Sequence, residues 1–195
     1  MDKFVLYLPE SIQFTEDQLL ALCEQNSHLR IEVDTEQNLT IMSPASSKTG
    51  HSNAYITSRF FIWDDENPLG MVFDSSAGFR LPDGSIKSPD TSFIEQSRWD
   101  TLTEEQQEGF AEICPDFVLE LRSPSDNKND LLSKMNSYME NGCRLAWLID
   151  PMEKEVRIYR PSSDTEIIEL TQETILKGED VLLGFELRLE RLLSK

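Results

Sequence analysis

Basic residues are scarce in this 195-residue chain: 18 Lys and Arg stand against 36 Asp and Glu, a formal net charge of -18. Proteins that grip phosphate backbones through overall charge carry a basic footprint, and none is visible here. Any nucleic-acid chemistry therefore rests on local basic groups and on metal ions, which an acidic chain favours. Histidine is nearly absent, with only His28 and His51. Cysteine is limited to Cys23, Cys114 and Cys143. Their odd number and wide spacing argue against a disulfide framework and against a CxxC zinc site, leaving buried free thiols. No apolar run approaches the ~20 residues that cross a bilayer. Residues 1–14 lack an apolar core with a cleavage site, so the expectation is a soluble, cytoplasmic protein. Also missing are a Gly-x-Ser-x-Gly elbow and a glycine-rich phosphate loop, which leaves Ser/His/Asp hydrolysis and Walker-type nucleotide binding with little support. With no internal repeat and no linker, one domain over residues 1–195 is expected.

What is present centres on residues 115–151. Phe117 to Leu121 reads as a short buried strand that carries a carboxylate, Glu120. Ser123-Pro124-Ser125-Asp126 breaks the strand and offers helix N-cap residues. Leu131, Leu132, Met135, Tyr138 and Met139 recur at helical spacing, and Asn141-Gly142 stops the helix. A second apolar run, Leu145 to Ile149, ends at Asp150-Pro151. Strand, helix and strand of this length make a crossover that lays two strands parallel.

Upstream, Thr15 to Gln18 forms a capping box for a short helix with Leu19, Leu20 and Leu22 on its buried side. Residues 29–33 and 39–42 alternate about a polar turn, as a hairpin does. Residues 43–50 read as a loop, and Tyr55, Ile56, Phe60 and Trp63 mark a helix over about 51–63, ended by a solvated acidic loop at 64–68. Residues 70–73 and 78–81 are short strand candidates, and within residues 86–94 Pro89-Asp90 lies at a strand entrance. Residues 98–114 are polar and irregular, long enough for a loop to flank a site. Residues 155–160 alternate, 167–170 add a further strand, and 181–187 form an edge element before a short terminal helix. The fold class is α/β (α+β), with a mixed central sheet flanked by helices and an N-terminal hairpin.

Two acids stand at strand ends on consecutive long segments, Asp90 and Glu120. Neighbouring strands lie about 4.8 Å apart, so two such acids can converge on one hard cation. Mg²⁺ takes only one or two protein carboxylates and fills its other positions with water and phosphate. It polarises a phosphodiester and acidifies a bound water. Glu120 also has a plainer reading: a strand-end acid that reaches water or forms a structural ion pair. Arg122, two residues on, shares its strand face. Lys134 falls at the flank of the apolar helix stripe, where its ammonium either reaches the strand end or lies solvated on the surface.

Pro89-Asp90, then Glu120 to Asp126, then Lys134, Tyr138, Asn141-Gly142 and Trp147 to Pro151 resemble the Uma-type restriction endonuclease family of the PD-(D/E)XK nuclease superfamily. The resemblance extends through residues 31–33, 42–44 and 78–82 and covers about residues 29–185. It implies a restriction-endonuclease-like core, at about residues 29–160, that binds Mg²⁺ or Mn²⁺ and hydrolyses DNA, commonly as a homodimer. Asp90 matches the family's metal-binding aspartate and Glu120 its second acid. Glu32 matches a glutamate of the N-terminal hairpin and is a third site acid. The superfamily lysine is expected two residues after the second acid, where this chain has Arg122, which stays protonated. The family pattern moves that role to Lys134 on the helix. Arg122 and Ser123 are then candidate phosphate contacts. The superfamily often places an acid on the helix before the core strands; here none precedes Asp64. His51, at the start of that helix, either substitutes or is simply a surface residue.

Two functions follow. One is a Mg²⁺-dependent endonuclease with Asp90, Glu120 and Lys134 as its catalytic group. The other is a nuclease-fold relative without catalytic power that binds or regulates, which the net charge and Arg122 both favour.

Overall fold

The computed structural model describes residues 3–9 and 11–193. The elements run β1 (Lys3–Leu6), α1 (Glu16–Gln25), β2 (Arg30–Val33), β3 (Leu39–Met42), α2 (Ser47–Glu66), β4 (Gly70–Asp74), β5 (Phe79–Arg80), β6 (Ile86–Lys87) and β7 (Thr91–Glu95). They continue with α3 (Gln96–Trp99), α4 (Glu104–Glu108), β8 (Phe117–Leu121), α5 (Lys128–Glu140), β9 (Leu145–Asp150), β10 (Glu155–Tyr159), β11 (Glu166–Glu169), β12 (Ile175–Lys177), β13 (Glu186–Arg188) and α6 (Glu190–Leu193).

The central sheet has the order β11-β10-β9-β8-β7-β4. Only β8 and β9 pair parallel within it, because α5 carries the chain back over the sheet between them. Alternation along the strands then fixes the two faces. Phe117, Leu119, Trp147 and Ile149 join Ile56, Phe60 and Trp63 of α2 in one core. Val118, Ala146 and Leu148 join Met135 and Tyr138 of α5 in another. Glu120 alternates with Leu119 and Leu121, so it faces α5. The helix ends where expected: Gly142 has φ 98°, a left-handed conformation that suits glycine after the Asn141 cap. The mixed sheet flanked by helices is as the sequence predicts.

The smaller sheet, β1-β3-β2-β6-β5, is antiparallel throughout. Ile31, Val33, Leu39 and Ile86 pack on Leu19 of α1. The opposite face of β1, β3 and β2 carries Lys3, Val5, Met42, Thr40, Arg30 and Glu32 and lines a cleft against α5.

Pro89-Asp90 stands at a strand entrance as expected, since β7 begins at Thr91; β6 belongs to the small sheet and β7 to the central one, and residues 88–90 pass between them. Proline at position 89 has no N–H to offer a ladder, which suits that passage. Several local expectations need correction. Helix α2 starts at Ser47, not near His51, because the Ser46 hydroxyl accepts from Thr49 N–H and caps it. It also runs through the acidic residues 64–66 instead of stopping before them. Helix α5 is capped by Asn127, while residues 123–126 close their own turn, Asp126 accepting from Ser123 N–H. Of the residues expected on the buried side of α1, Leu19 is fully buried and Leu20 and Leu22 only half-buried. Residues 98–114 line no part of the cleft described below; Ala111, Ile113 and Cys114 pack into the core instead. At the C-terminus β13 pairs with β12 as a hairpin, and residues 181–184 form the turn that buries Val181 and Leu182. All three cysteines are free, Cys114 and Cys143 buried and Cys23 half-buried. Among the described residues, no helix is long and apolar enough to cross a membrane.

One buried polar contact ties α2 to β7: the hydroxyls of Thr57 and Thr91 lie 2.7 Å apart. Thr57→Val strands the Thr91 hydroxyl and is expected to cost about 1–2 kcal/mol in urea unfolding, most of which Thr57→Val with Thr91→Val recovers. An additive double variant would contradict that contact.

Candidate active site

Asp90 and Glu120 meet because β7 and β8 run antiparallel. Thr91 pairs with Leu119, so one step further position 90 stands opposite position 120. The entrance of one strand and the exit of the next thus share one end of the sheet. The Asp90 carboxylate is fixed there: Oδ2 accepts from Leu121 N–H at 2.9 Å, and Oδ1 from Asn53 Nδ2 at 3.1 Å. Arg30 Nη1 lies 3.5 Å from Oδ1.

Helix α5 supplies the cation. Lys134 Nζ lies 2.7 Å from Glu120 Oε1 and 2.7 Å from Glu32 Oε1. It also donates to the Ser88 carbonyl at 3.2 Å. The solvated-lysine reading is therefore overturned; the side chain is 12% exposed. Tyr138, one turn along α5, donates to Glu120 Oε1 at 3.1 Å. Glu32 receives Ser88 N–H as well, at 3.1 Å. The small sheet thus contributes Arg30 and Glu32 from alternate positions of β2, and the central sheet contributes Asp90 and Glu120.

Three acids and two cations share this buried space, and their protonation follows from it. Burial pushes the Glu120 carboxyl up, to about 7, with Asp90 and Glu32 adding repulsion and Lys134 only partly opposing. Burial also disfavours charge on Glu32, but Lys134 and Lys87 outweigh it and hold Glu32 below its usual range. Burial works against the Lys134 ammonium, yet Glu120 and Glu32 more than offset it and keep it charged well above the usual lysine range. Arg30 is likewise raised, burial being outweighed by Asp90, Glu120 and Glu32. Of the two glutamates that share the ammonium, Glu120 is the one pushed toward its neutral form.

These groups line a cleft of about 420 Å³ between β1–β3 and α5. Ser123 lies on its wall, whereas Arg122 does not. Strand β8 ends at Leu121, and Arg122 Nη1 turns to buried Asp150, 2.7 Å away. His51 is exposed on α2 and lies outside the lining. Arg30 and Asn53 are the functional neighbours that the sequence reading misses. Arg30 was signalled by its two-residue spacing from Glu32 on one strand. Asn53, uncharged in an amphipathic helix, gave no signal.

Among the described residues, no three His, Cys, Asp or Glu side chains are gathered closely enough to hold a metal ion. Glu32 is drawn to Lys134 instead. Two features nevertheless suit a hard cation. Asp90 and Glu120 are themselves oxygen ligands, and Asn53 Oδ1 is buried without a hydrogen-bond partner. A carbonyl oxygen of that kind is a ligand Mg²⁺ accepts.

The family model Uma2, described as "Putative restriction endonuclease", matches residues 16–190. Among solved structures, a protein from Anabaena variabilis described as "a putative nuclease belonging to DUF820" aligns with a TM-score of 0.72 at 22% identity. That alignment covers 92% of this chain and 97% of the other, and it shows a shared fold. A DrdV–DNA complex aligns with a TM-score of 0.35 at 10% identity, over 56% of this chain and 9% of the other, too slight a likeness to bear on the fold. No curated protein matches the chain. The matched span runs from the first residue of α1 into α6 and encloses every residue of the buried cluster, so the chain belongs to the Uma2 restriction endonuclease family.

Proposed function

We propose that this protein is a divalent-metal-dependent nuclease that hydrolyses DNA phosphodiester bonds in the cleft between β2 and α5. The observation that carries this reading is the buried convergence of Asp90, Glu120 and Lys134, from three separate elements, on one cavity. Asp90 and Glu120 would hold Mg²⁺ or Mn²⁺, with the Asn53 carbonyl as a further oxygen. When bound, such an ion polarises the phosphodiester and lowers the pKa of a coordinated water.

The remaining roles belong to the chain itself. Glu120 and Glu32 favour the charged form of Lys134, which suits it to orient the attacking water and steady charge developing on phosphate. Glu32 anchors it: with Glu32 and the Ser88 carbonyl in place, the ammonium stays seated when Glu120 is engaged elsewhere. Arg30 holds Asp90 in its rotamer and adds positive charge beside it. Tyr138 fixes Glu120. Ser123 stands on the wall where a phosphate oxygen would pass. Arg122, committed to Asp150, keeps a structural role.

Cleavage of plasmid and of single-stranded circular DNA in Mg²⁺ or Mn²⁺ tests the reading. The wild type is expected to cut DNA in at least one of the two forms, and Glu120→Ala is expected to lose at least about 100-fold in rate, the scale of removing one charge-stabilising group. Cleavage undiminished by that change would overturn the mechanism. A second reading, a binding or regulatory module, is favoured by the net charge of -18. It is separated from the first by a calorimetric titration that stays silent with both ions.

A further inference from the structure

The cleft extends beyond its acids, and its outer part has a different chemistry. One face of the small sheet forms one wall. Strand register puts Lys3, Met42 and Arg30 in one cross-strand row, and Val5, Thr40 and Glu32 in the next. All six line the cavity, and Tyr7 lies beyond Val5 on the same face. At a strand spacing of about 4.8 Å, the β1 positions stand about 10 Å from Arg30 and Glu32. Tyr7 is 76% exposed, an aromatic ring left open to solvent at the cleft mouth. At the other end of β1, Lys3 Nζ reaches Asp130 of α5 at 2.8 Å and ties the two walls together.

We propose that this cleft takes a single, unpaired nucleic-acid strand, with a base stacked on Tyr7 beside the phosphate that enters the acid cluster. The phosphate half of this statement rests on the nuclease reading above. Three observations support the rest. First, the acids sit at the cleft floor, where Glu120 is 4% and Glu32 6% exposed, so a phosphodiester must enter to reach them. A cavity of about 420 Å³ is in the range that encloses one small molecule, about a nucleotide unit. A base that is still paired lies stacked between its duplex neighbours, so it must leave the duplex before its face can meet the Tyr7 ring.

Second, the lining carries four basic side chains against six acidic ones. Such a surface neutralises few phosphates, so it lacks the main source of duplex affinity. Third, base stacking on an aromatic ring supplies affinity that needs no net charge and is sequence-tolerant. Tyr7 with Val5 and Met42 offers that platform, Met42 one strand spacing from β2, Val5 two, and Tyr7 two residues beyond Val5.

Fluorescence anisotropy of a labelled 12-nucleotide strand and of the same sequence as a duplex, both in Ca²⁺, tests the proposal. The strand is expected to bind at least tenfold tighter than the duplex. At about -0.7 in log K per log salt for each phosphate neutralised on a single strand, two contacts give a shallow slope of about -1.4. Tyr7→Ala is expected to weaken strand binding between about 5- and 100-fold with no change in melting temperature, and Tyr7→Trp to retain it. Duplex binding as tight as strand binding would overturn the proposal, as would a steep salt slope, no strand binding, or an inert Tyr7→Ala. A Tyr7→Ala variant that changes oligomeric state by light scattering, without changing strand affinity, would make β1 a subunit contact and overturn it too. Strand binding with the expected Tyr7 dependence but no cleavage would remove the nuclease reading alone. Cleavage with duplex preference would remove the strand site alone.

Discussion

Lys134→Met is expected to lose at least about 100-fold in cleavage rate and about 3–5 kcal/mol in stability near pH 8. On the proposed mechanism, the activity loss follows from removing the ammonium seated against Glu120. The stability loss has a separate origin. Lys134 is the shared partner of Glu32 and Glu120, both buried. Without it, two carboxylates face each other beside Asp90 with Arg30 and Lys87 as the cations nearby. Uncompensated buried charge is costly, whereas removing both partners of a pair is often close to neutral. Lys134→Met combined with Glu120→Gln is therefore expected to recover part of the stability and none of the activity. Urea unfolding of the three proteins checks the first part, and cleavage assays the second. The single variant should also be less destabilised at pH 5 than at pH 8, because the stranded acids protonate. Equal losses at both pH values would argue that Lys134 acts through packing of its stem alone.

Glu120→Gln is expected to remove the largest pH-dependent contribution to stability near neutrality. In the folded protein Glu120 is raised to about 7 from an ordinary 4.5, chiefly by burial. Between those two values the folded state holds a proton that the unfolded state has released. Unfolding stability from this group is therefore fully present below about 4.5, falls as pH rises toward 7, and is lost above it. A displacement of this size corresponds to roughly 3 kcal/mol at about 1.4 kcal/mol per unit. Glu32 works in the opposite sense: its carboxyl is held low, so its contribution is lost as pH falls below the usual glutamate range. Wild-type stability should thus pass through a maximum on the acid side of neutrality. Glu120→Gln should be the more stable protein at pH 8, since Gln still accepts from Tyr138 without a buried charge. Denaturation curves from pH 4 to pH 8.5 read both. A wild-type profile that is flat from pH 5 to pH 8 would show that Glu120 keeps its charge at little cost.

The crossover β8-α5-β9 was legible in the sequence because each part carried its own signal: a strand-length apolar run, a helical stripe and a glycine stop. The pairing of Asp90 with Glu120 was legible only as a shared strand-end position; the antiparallel register that sets them opposite is a tertiary fact. The passage at residues 88–90 was not legible, since the flanking residues Ile86 and Thr91 suit a strand equally well in one sheet or two. Arg122 was misplaced because the alternation rule stops with the strand at Leu121, and beyond it buried Asp150 decides where the guanidinium goes. Glu32 looked like the solvent face of a half-buried strand. That face is covered by α5, a contact between segments a hundred residues apart that periodicity does not encode. Asn53 gave no sign at all, since its role depends wholly on what stands opposite it.

The central claim is that the sheet brings Asp90 and Glu120 together to hold a hard cation. Calorimetric titration of the folded protein with Mn²⁺ at pH 7.5, beside Asp90→Asn and Glu120→Gln, tests it most directly. The expected result is saturable binding by the wild type that weakens at least tenfold in each variant. A silent titration, or binding that both substitutions leave unchanged, would contradict it.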